Sequence, residues 1–545
     1  MSAKQIVFDH VTRQKLQTGV NKLADAVVAT LGPRASNVAV QKSFGAPAVL
    51  HDGVSVAKEV ELPDELENMG AQLVKEAAAK TNDVAGDGTT TATLLAQQLV
   101  TKGMRNITAG ANPIMLRRGI DTAVQTVLAE LEKMAVPVKE EDWVKVATIS
   151  AQDEVVGKKI AEAIKLVGSD GIVEVEEGRT MDITIEHTEG MEFDKGYASP
   201  YFVTDPDHME AVIEDAHILI TDQKIANLQE MLPFLEKFMK VSKNLVIIAD
   251  DIEGEALATL VLNKLRGVFN VLAVKAPGFG DRRKAILQDI AVLTGGNVIS
   301  TDTGRKLSNV EVEDLGRASS VRATKDSTRI IDGQGSKADI DAQIARIEKE
   351  IEQSTSDFDI EKLQERKAKL SSGVAVIQVG AATEVELKEV QERVKDAKEA
   401  TRAAIEEGVI PGGGVAFLQA SLALEKLKAN DPDEQAGIRL VKDALEMPIR
   451  ILAENSGEDG GWVARKVMEA KKKNYGFNAL TLKFGDMLEM GVIDPKKVAK
   501  HALVNAASVA GGILTTRVLI ADIKEEKPAA PAGGGMPDMG GMGMM

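Results

Sequence analysis

The strongest constraint on how this 545-residue chain folds is that its two ends share one texture and its middle has another. Residues 1 to about 133 are dominated by helical periodicity. Met69, Leu73 and Ala77 recur at helical spacing, and Leu95 and Leu99 follow. Residues 409–522 return to alanine-rich helical pattern. Between them, residues 138–189 mix helical segments with Gly171-Ile-Val-Glu-Val-Glu and Met181-Asp-Ile-Thr-Ile-Glu, whose alternation reads as half-buried strand. From about 190 to 373, apolar runs such as Ile218-Leu-Ile, Leu245-Val-Ile-Ile-Ala and Val271-Leu-Ala-Val alternate with helical stretches. That is the order of βα units with a partly parallel sheet. The expectation is one discontinuous helical domain with the middle inserted into it, in a chain long enough for about three or four domains.

Two smaller features belong to this outline. Ile340, Ile344, Ile347 and Ile351 share one helical face, Ser354-Thr-Ser-Asp interrupts, and Ile360, Leu363 and Leu370 follow. This predicts a solvated antiparallel helical hairpin over 339–370. From Pro528 the chain holds glycine, methionine, proline and alanine with almost no charge, which predicts a flexible tail.

Composition excludes several kinds of chemistry. With 66 basic against 83 acidic residues the formal charge is −17, so a nucleic-acid binder is disfavoured. Cysteine is absent, which removes disulfides, thiolate metal sites and cysteine nucleophiles. The six histidines, His10, His51, His187, His208, His217 and His501, do not pair at metal-ligand spacing. Met1-Ser-Ala-Lys-Gln-Ile-Val-Phe-Asp-His lacks a basic region followed by an apolar run, and no stretch reaches the ~18 apolar residues of a spanning helix. A soluble cytoplasmic protein is expected.

The sharpest local motif is Gly86-Asp-Gly-Thr-Thr-Thr-Ala-Thr, which leads into an apolar helix. Glycines let backbone N–H groups approach an anion, while threonine hydroxyls and a helix N-terminus add donors. Asp87 would repel phosphate unless a cation lies between them, so loop and acid together read as a metal–nucleotide site. The Gly-Lys-Ser/Thr ending of a Walker A loop is missing. An ordinary capped helix start is the competing reading. Thr30-Leu-Gly-Pro and Gly412-Gly-Gly-Val offer further exposed backbone, and Asp52 and Asp396 offer carboxylates that could hold a metal or orient a water. Val271-Leu-Ala-Val-Lys-Ala-Pro-Gly-Phe-Gly-Asp-Arg-Arg imitates a dinucleotide turn, but its third glycine position is Arg283. In the middle region Tyr197, Tyr201 and Phe202 flank a Ser-Pro pair. Leu228, Leu232, Leu235 and Phe238, and then Leu257, Leu260, Val261 and Leu262, form wide apolar arcs. Core packing explains any one of them. An exposed set would be a protein-binding groove.

Taken together the motifs resemble those of bacterial group I chaperonins of the GroEL type, over essentially the whole chain. Besides the glycine–threonine loop, the matching segments include Ala24-Asp-Ala-Val, Thr30-Leu-Gly-Pro, Lys42-Ser-Phe-Gly-Ala-Pro, Asp52-Gly-Val-Ser-Val-Ala and Glu67-Asn-Met-Gly-Ala-Gln. Glu253-Gly-Glu-Ala-Leu-Ala-Thr-Leu, Lys275-Ala-Pro-Gly-Phe-Gly-Asp-Arg-Arg-Lys, Ala400-Thr-Arg-Ala-Ala, Gly412-Gly-Gly-Val and the Gly-Met tail complete the set. The resemblance implies a multidomain α+β fold with three domains. The mostly helical equatorial domain would be 1–133 with 409–525. A small α/β intermediate domain would be 134–189 with 374–408, and an α/β apical domain 190–373, with the flexible tail at 526–545. Pro137 with Gly408, and Gly190 with Gly373, fall at the family's hinges. Seven-membered rings, usually stacked in pairs, are implied as well.

Its function would be that of an ATP-dependent chaperonin. Such a protein captures non-native polypeptides on apolar surfaces and encloses them in a ring cavity capped by a GroES-type co-chaperonin. By the same resemblance Thr30, Leu31, Gly32 and Pro33 line the ATP, Asp87 holds Mg²⁺, and Gly88, Thr89, Thr90 and Thr91 cradle the phosphates. Gly413, Asn478, Ala479 and Asp494 face base and ribose. Asp396 activates the attacking water with Asp52 assisting, and Thr30 and Thr90 contribute to a K⁺ site. Tyr197, Tyr201, Phe202, Leu232, Leu235, Leu257, Val261 and Leu262 match positions that bind client and co-chaperonin. The chain departs from the family at His51, where lysine is common, at Arg34, Ala35 and Ser36 after the Thr30 turn, and at Leu480, where a smaller alanine is usual. A small-molecule phosphotransferase using the same Mg²⁺–ATP site and an ATP-independent holdase are the competing functions. No compact second-substrate pocket is legible for the first, and the pairing of Asp87 with Asp396 disfavours the second.

Overall fold

The computed structural model describes residues 4–41, 47–168, 171–178, 181–206, 209–354, 356–371, 373–381 and 383–522. The expected tail, His208 and the Lys42-Ser-Phe-Gly-Ala part of one motif lie outside them. The fold is mixed α and β, mostly helical, with several separate sheets. Among the described residues no helix is long and apolar enough to cross a membrane.

The chain divides into two compact units. The first holds the described residues within 1–135, 410–490 and 498–522. Its core is built from both ends of the sequence. Leu16, Val20, Leu95, Leu99, Leu116 and Ile120 from the first segment pack with Ile438, Val441, Ala506 and Ile513 from the last. These residues recur at helical spacing, so each helix presents one apolar stripe and the stripes meet in a single interior. The helices Pro113–Met134 and Pro432–Leu445 cross where both lack side chains. A β-carbon on Gly119 would lie 2.0 Å from the Glu434 carbonyl oxygen, and one on Gly437 would lie 2.2 Å from that of Leu116. Strand Lys4–Phe8 pairs antiparallel with Val518–Asp522, closing the two ends on each other.

The second unit holds residues 136–409 and 491–497. Its larger sheet runs in the order Asn270–Lys275, Asn244–Ala249, Ala211–Thr221, Gly316–Ala323, Thr328–Gly333, Gly190–Phe193. The first three strands are parallel and the rest antiparallel, while Val298–Ile299 pairs alongside Ala211–Thr221. The parallel strands are near-continuous apolar runs because helices cover them. A smaller sheet sets Val374–Val379 between Ile172–Glu177, parallel, and Thr184–Thr188, antiparallel. Helices Glu140–Ala151, Glu154–Val167 and Glu384–Glu407 share its core.

Lys337–Gln353 and Asp357–Ser371 form the expected helical pair, but it is not solvated all round. Ile340 and Ile347 are buried. Gln343 and a bidentate Arg366 both donate to the buried Asp289 carboxylate, at 2.7 to 2.9 Å. Gly373 and Gly408 take positive φ (62° and 79°), whereas Gly190 is an ordinary strand residue packed against Val374.

Candidate functional site

In the first unit the Gly86 motif is a turn of three residues, Gly86, Asp87 and Gly88, between two long helices. Glu65–Ala85 ends on Gly86 in left-handed backbone, and Gly88, again left-handed, caps Thr89–Thr108. Gly88 has no side chain to cap the first N–H groups of that helix, which no later carbonyl within the helix can reach. A β-carbon on Gly88 would meet Val498 at 2.6 Å, which keeps the backbone close to its neighbours. Asp87 accepts from the Gly88 amide. Thr89 is buried, and its carbonyl takes the Thr93 hydroxyl, while Thr90 and Thr91 are half-buried. Gly53 lies directly on Thr90, for its β-carbon would sit 2.1 Å from Oγ1. The structure thus brings the Asp52-Gly53 motif to the threonine loop.

Asp52 has a definite task there. It caps helix Gly53–Glu59, accepting from Val54 N at 3.2 Å and Ser55 N at 2.8 Å. Thr30 is buried and donates its hydroxyl to the Val27 carbonyl at 2.8 Å, leaving lone pairs on Oγ1 as acceptors. The Thr30-Leu31-Gly32-Pro33 turn is held from the far end of the chain. Asn455 donates to Val28 O and Leu31 O at 3.2 and 2.9 Å, and Leu452 packs under Gly32. The same helix, Met447–Asn455, also carries Ile449 beneath Gly414, in the turn that includes Gly413. One short helix therefore supports two of the glycine turns, and none of Ile449, Leu452 or Asn455 stood out in the sequence. Three-residue spacing between Ile449 and Leu452 was the only signal available.

Arg34 joins the Thr30 turn to the adenine-side candidates, donating to Leu480 O at 3.0 Å. There Asn478 folds the loop, its side-chain oxygen accepting from Leu480 N and Thr481 N at 3.0 and 3.1 Å. Asn478 and Ala479 are buried, and Leu480 is exposed. His51 is exposed and pairs through Nδ1 with Asn37 Oδ1. Asp396, on helix Glu384–Glu407, and Asp494, on strand Ile493–Pro495, belong to the second unit.

The donor set suits a metal-bound polyphosphate. It offers backbone N–H groups at a helix N-terminus, hydroxyls and the carboxylates of Asp87 and of Asp52, the latter already capping a helix, with no bulky side chain at Gly53 or Gly88. Asn82 Oδ1, one turn before Gly86, is buried without a partner among the described residues, so an acceptor is still open there. No cluster of three metal-binding side chains occurs among the described residues. A hard divalent ion would lean on Asp87 and on phosphate oxygens, as Mg²⁺ usually does.

The second unit carries the apolar candidates. Tyr201 is 67% exposed, Leu232 49% and Leu262 45%. Leu257 and Val261 are half-buried against the core. Tyr197, Phe202 and Leu235 are buried, so they form the floor beneath the face. Exposed Leu265, on the last turn of the same helix as Leu262, enlarges the face and was not picked out from sequence. A family model described as the TCP-1/cpn60 chaperonin family matches residues 23–524.

Proposed function

The chain belongs to the TCP-1/cpn60 chaperonin family, whose members bind ATP and unfolded polypeptides, form rings and assist folding, and on that premise we propose that it is a group I, GroEL-type chaperonin whose ATP hydrolysis drives client encapsulation. The observation that carries the ATP part is the uncapped Gly88 start of helix Thr89–Thr108, with Gly53 backbone and the Thr90 hydroxyl at its side. Its first N–H groups and the positive end of the helix would hold the phosphates. Asp87 would hold Mg²⁺, which supplies charge neutralisation at the β- and γ-phosphates when bound. Thr30 and Thr90 would offer oxygens to K⁺. Asn478, Ala479, Leu480, Gly413 and Asp494 would surround base and ribose.

Asp396 would accept the proton of the attacking water as its oxygen bonds to the γ-phosphorus and the bond to the bridging oxygen breaks. Asp52 would assist while capping its helix. The face around Tyr201, Leu232 and Leu262 would capture clients, because non-directional apolar attraction suits a partner with no fixed sequence. The proposal includes seven-membered rings, usually paired, a GroES-type lid and a cytoplasmic place of work, all supported by the resemblance in motifs.

The test is the Asp396→Ala variant. ATP binding should stay within a few-fold of wild type while turnover falls about a hundredfold or more. Turnover within a few-fold of wild type would remove Asp396 from the mechanism.

A further inference from the structure

Lys264 stands on the last turn of helix Gly254–Leu265, three residues after the half-buried Val261 and on the same side of the helix. Its Nζ donates to Phe202 O and, at 3.5 Å, to Val203 O. It also lies 5.8 Å from the centroid of the Phe202 ring, within cation–π reach. Phe202 closes the Pro200–Phe202 turn, from which Tyr201 projects into solvent. One lysine therefore ties the turn carrying Tyr201 to the helix carrying Val261 and Leu262.

Among the described residues no carboxylate pairs with Lys264. Lys237 pairs with Glu311, and Lys275 with Asp251. Lys264 has only carbonyl partners among the described residues, and it is half-buried. Burial alone pushes its ammonium below the ordinary lysine value, with no carboxylate countering it. An ammonium has three donors, and two carbonyls leave one open.

We propose that Lys264 makes the apolar face selective, favouring client segments that carry a carboxylate side chain between apolar ones. The inference rests on the reading of this face as the capture surface. A carboxylate seated beside the apolar side chains would supply the counter-charge that the chain does not. A purely apolar segment would desolvate the ammonium and leave its third donor unmade, so the same residue works against such segments.

The experiment uses the assembled, nucleotide-free protein and two short fluorescein-labelled peptides. They share the same leucines, valines and glycines and differ at one central residue, aspartate in one and asparagine in the other. Fluorescence anisotropy should show the aspartate peptide bound about threefold to tenfold more tightly, the gap shrinking as salt is raised. Lys264→Met should bind both peptides alike, its hold on the asparagine peptide reporting an intact face. Lys264→Arg should keep the preference. Equal binding by wild type, or a preference that survives in Lys264→Met, overturns the selectivity of Lys264 alone. If wild type binds neither peptide, the capture reading fails and this inference with it.

Discussion

Gly32 sits at φ 100°, and a β-carbon there would press on Leu452 at 2.6 Å. Gly32→Ala should cost about 1–3 kcal/mol and loosen the Thr30 turn, read as a lower urea midpoint together with weaker ATP binding. Asp52 presents two separable tasks at one side chain. Asp52→Ser keeps an N-cap acceptor and loses the carboxylate, whereas Asp52→Ala loses both. Alanine alone should cost about 1 kcal/mol of stability, while both variants should slow ATP turnover if the carboxylate assists it. Normal turnover in the serine variant would leave Asp52 as a cap only. At this scale the residue types were legible beforehand, because a glycine, an aspartate and three threonines in a row can do only a few things. Their supports were not. Asn455 reaches Leu31 across 424 positions, and no local spacing relates the two.

Elements in this protein are joined by close backbone approach and by buried charge. Gly119→Val would thrust a side chain onto the Glu434 carbonyl and separate Pro113–Met134 from Pro432–Leu445. A loss of about 1–3 kcal/mol is expected, visible as faster proteolysis of the first unit at a fixed urea concentration. Within the second unit, strands of both sheets meet in an ionic network. Arg329 pairs with Glu174 and Glu192, and Arg322 with Glu176 and Glu174. Burial opposes ionisation of Glu174, yet Arg329, Lys398 and Arg322 outweigh it and hold its carboxyl below the usual range. On helix Glu384–Glu407, Lys398 above all lowers the Glu399 carboxyl to about 2.

A folded value below the unfolded one stabilises the protein above the ordinary carboxylate range, and that gain is lost as pH falls through the folded value. Glu399 is 38% exposed, so screening holds the gain to about 1 kcal/mol. Glu399→Gln should therefore lower the urea midpoint at pH 7, and its gap to wild type should narrow between pH 4.5 and 3. A gap constant with pH would mean that the charge contributes nothing. Alternation and periodicity announced these strands and this helix. They did not announce that glutamates on a strand face would be buried against arginines from another sheet, since alternating charge usually marks solvent.

At the scale of the whole molecule, the paired strands Lys4–Phe8 and Val518–Asp522 expose Ile6, Phe8 and Ile520. A sheet of two strands with an apolar face is poorly stable in water unless something covers it. In a ring-forming family the natural cover is a neighbouring subunit. Ile6→Asp combined with Ile520→Asp should shift the protein from rings to smaller species in sedimentation velocity, while the folded subunit persists. An unchanged ring would place these side chains outside the subunit contact.

Helical repeat, strand alternation and the Gly-Asp-Gly turn are short-range patterns, set by backbone geometry within a few residues, and they are readable in the order of residues alone. Burial is different, because it depends on what arrives from elsewhere in the chain. Tyr201 and Phe202 are adjacent aromatic residues that carried the same expectation, yet one projects into solvent and the other is sealed beneath it. The helical turn they share points them to different sides, and only the packing of helix Gly254–Leu265 and its Lys264 on that turn decides which side is the inside.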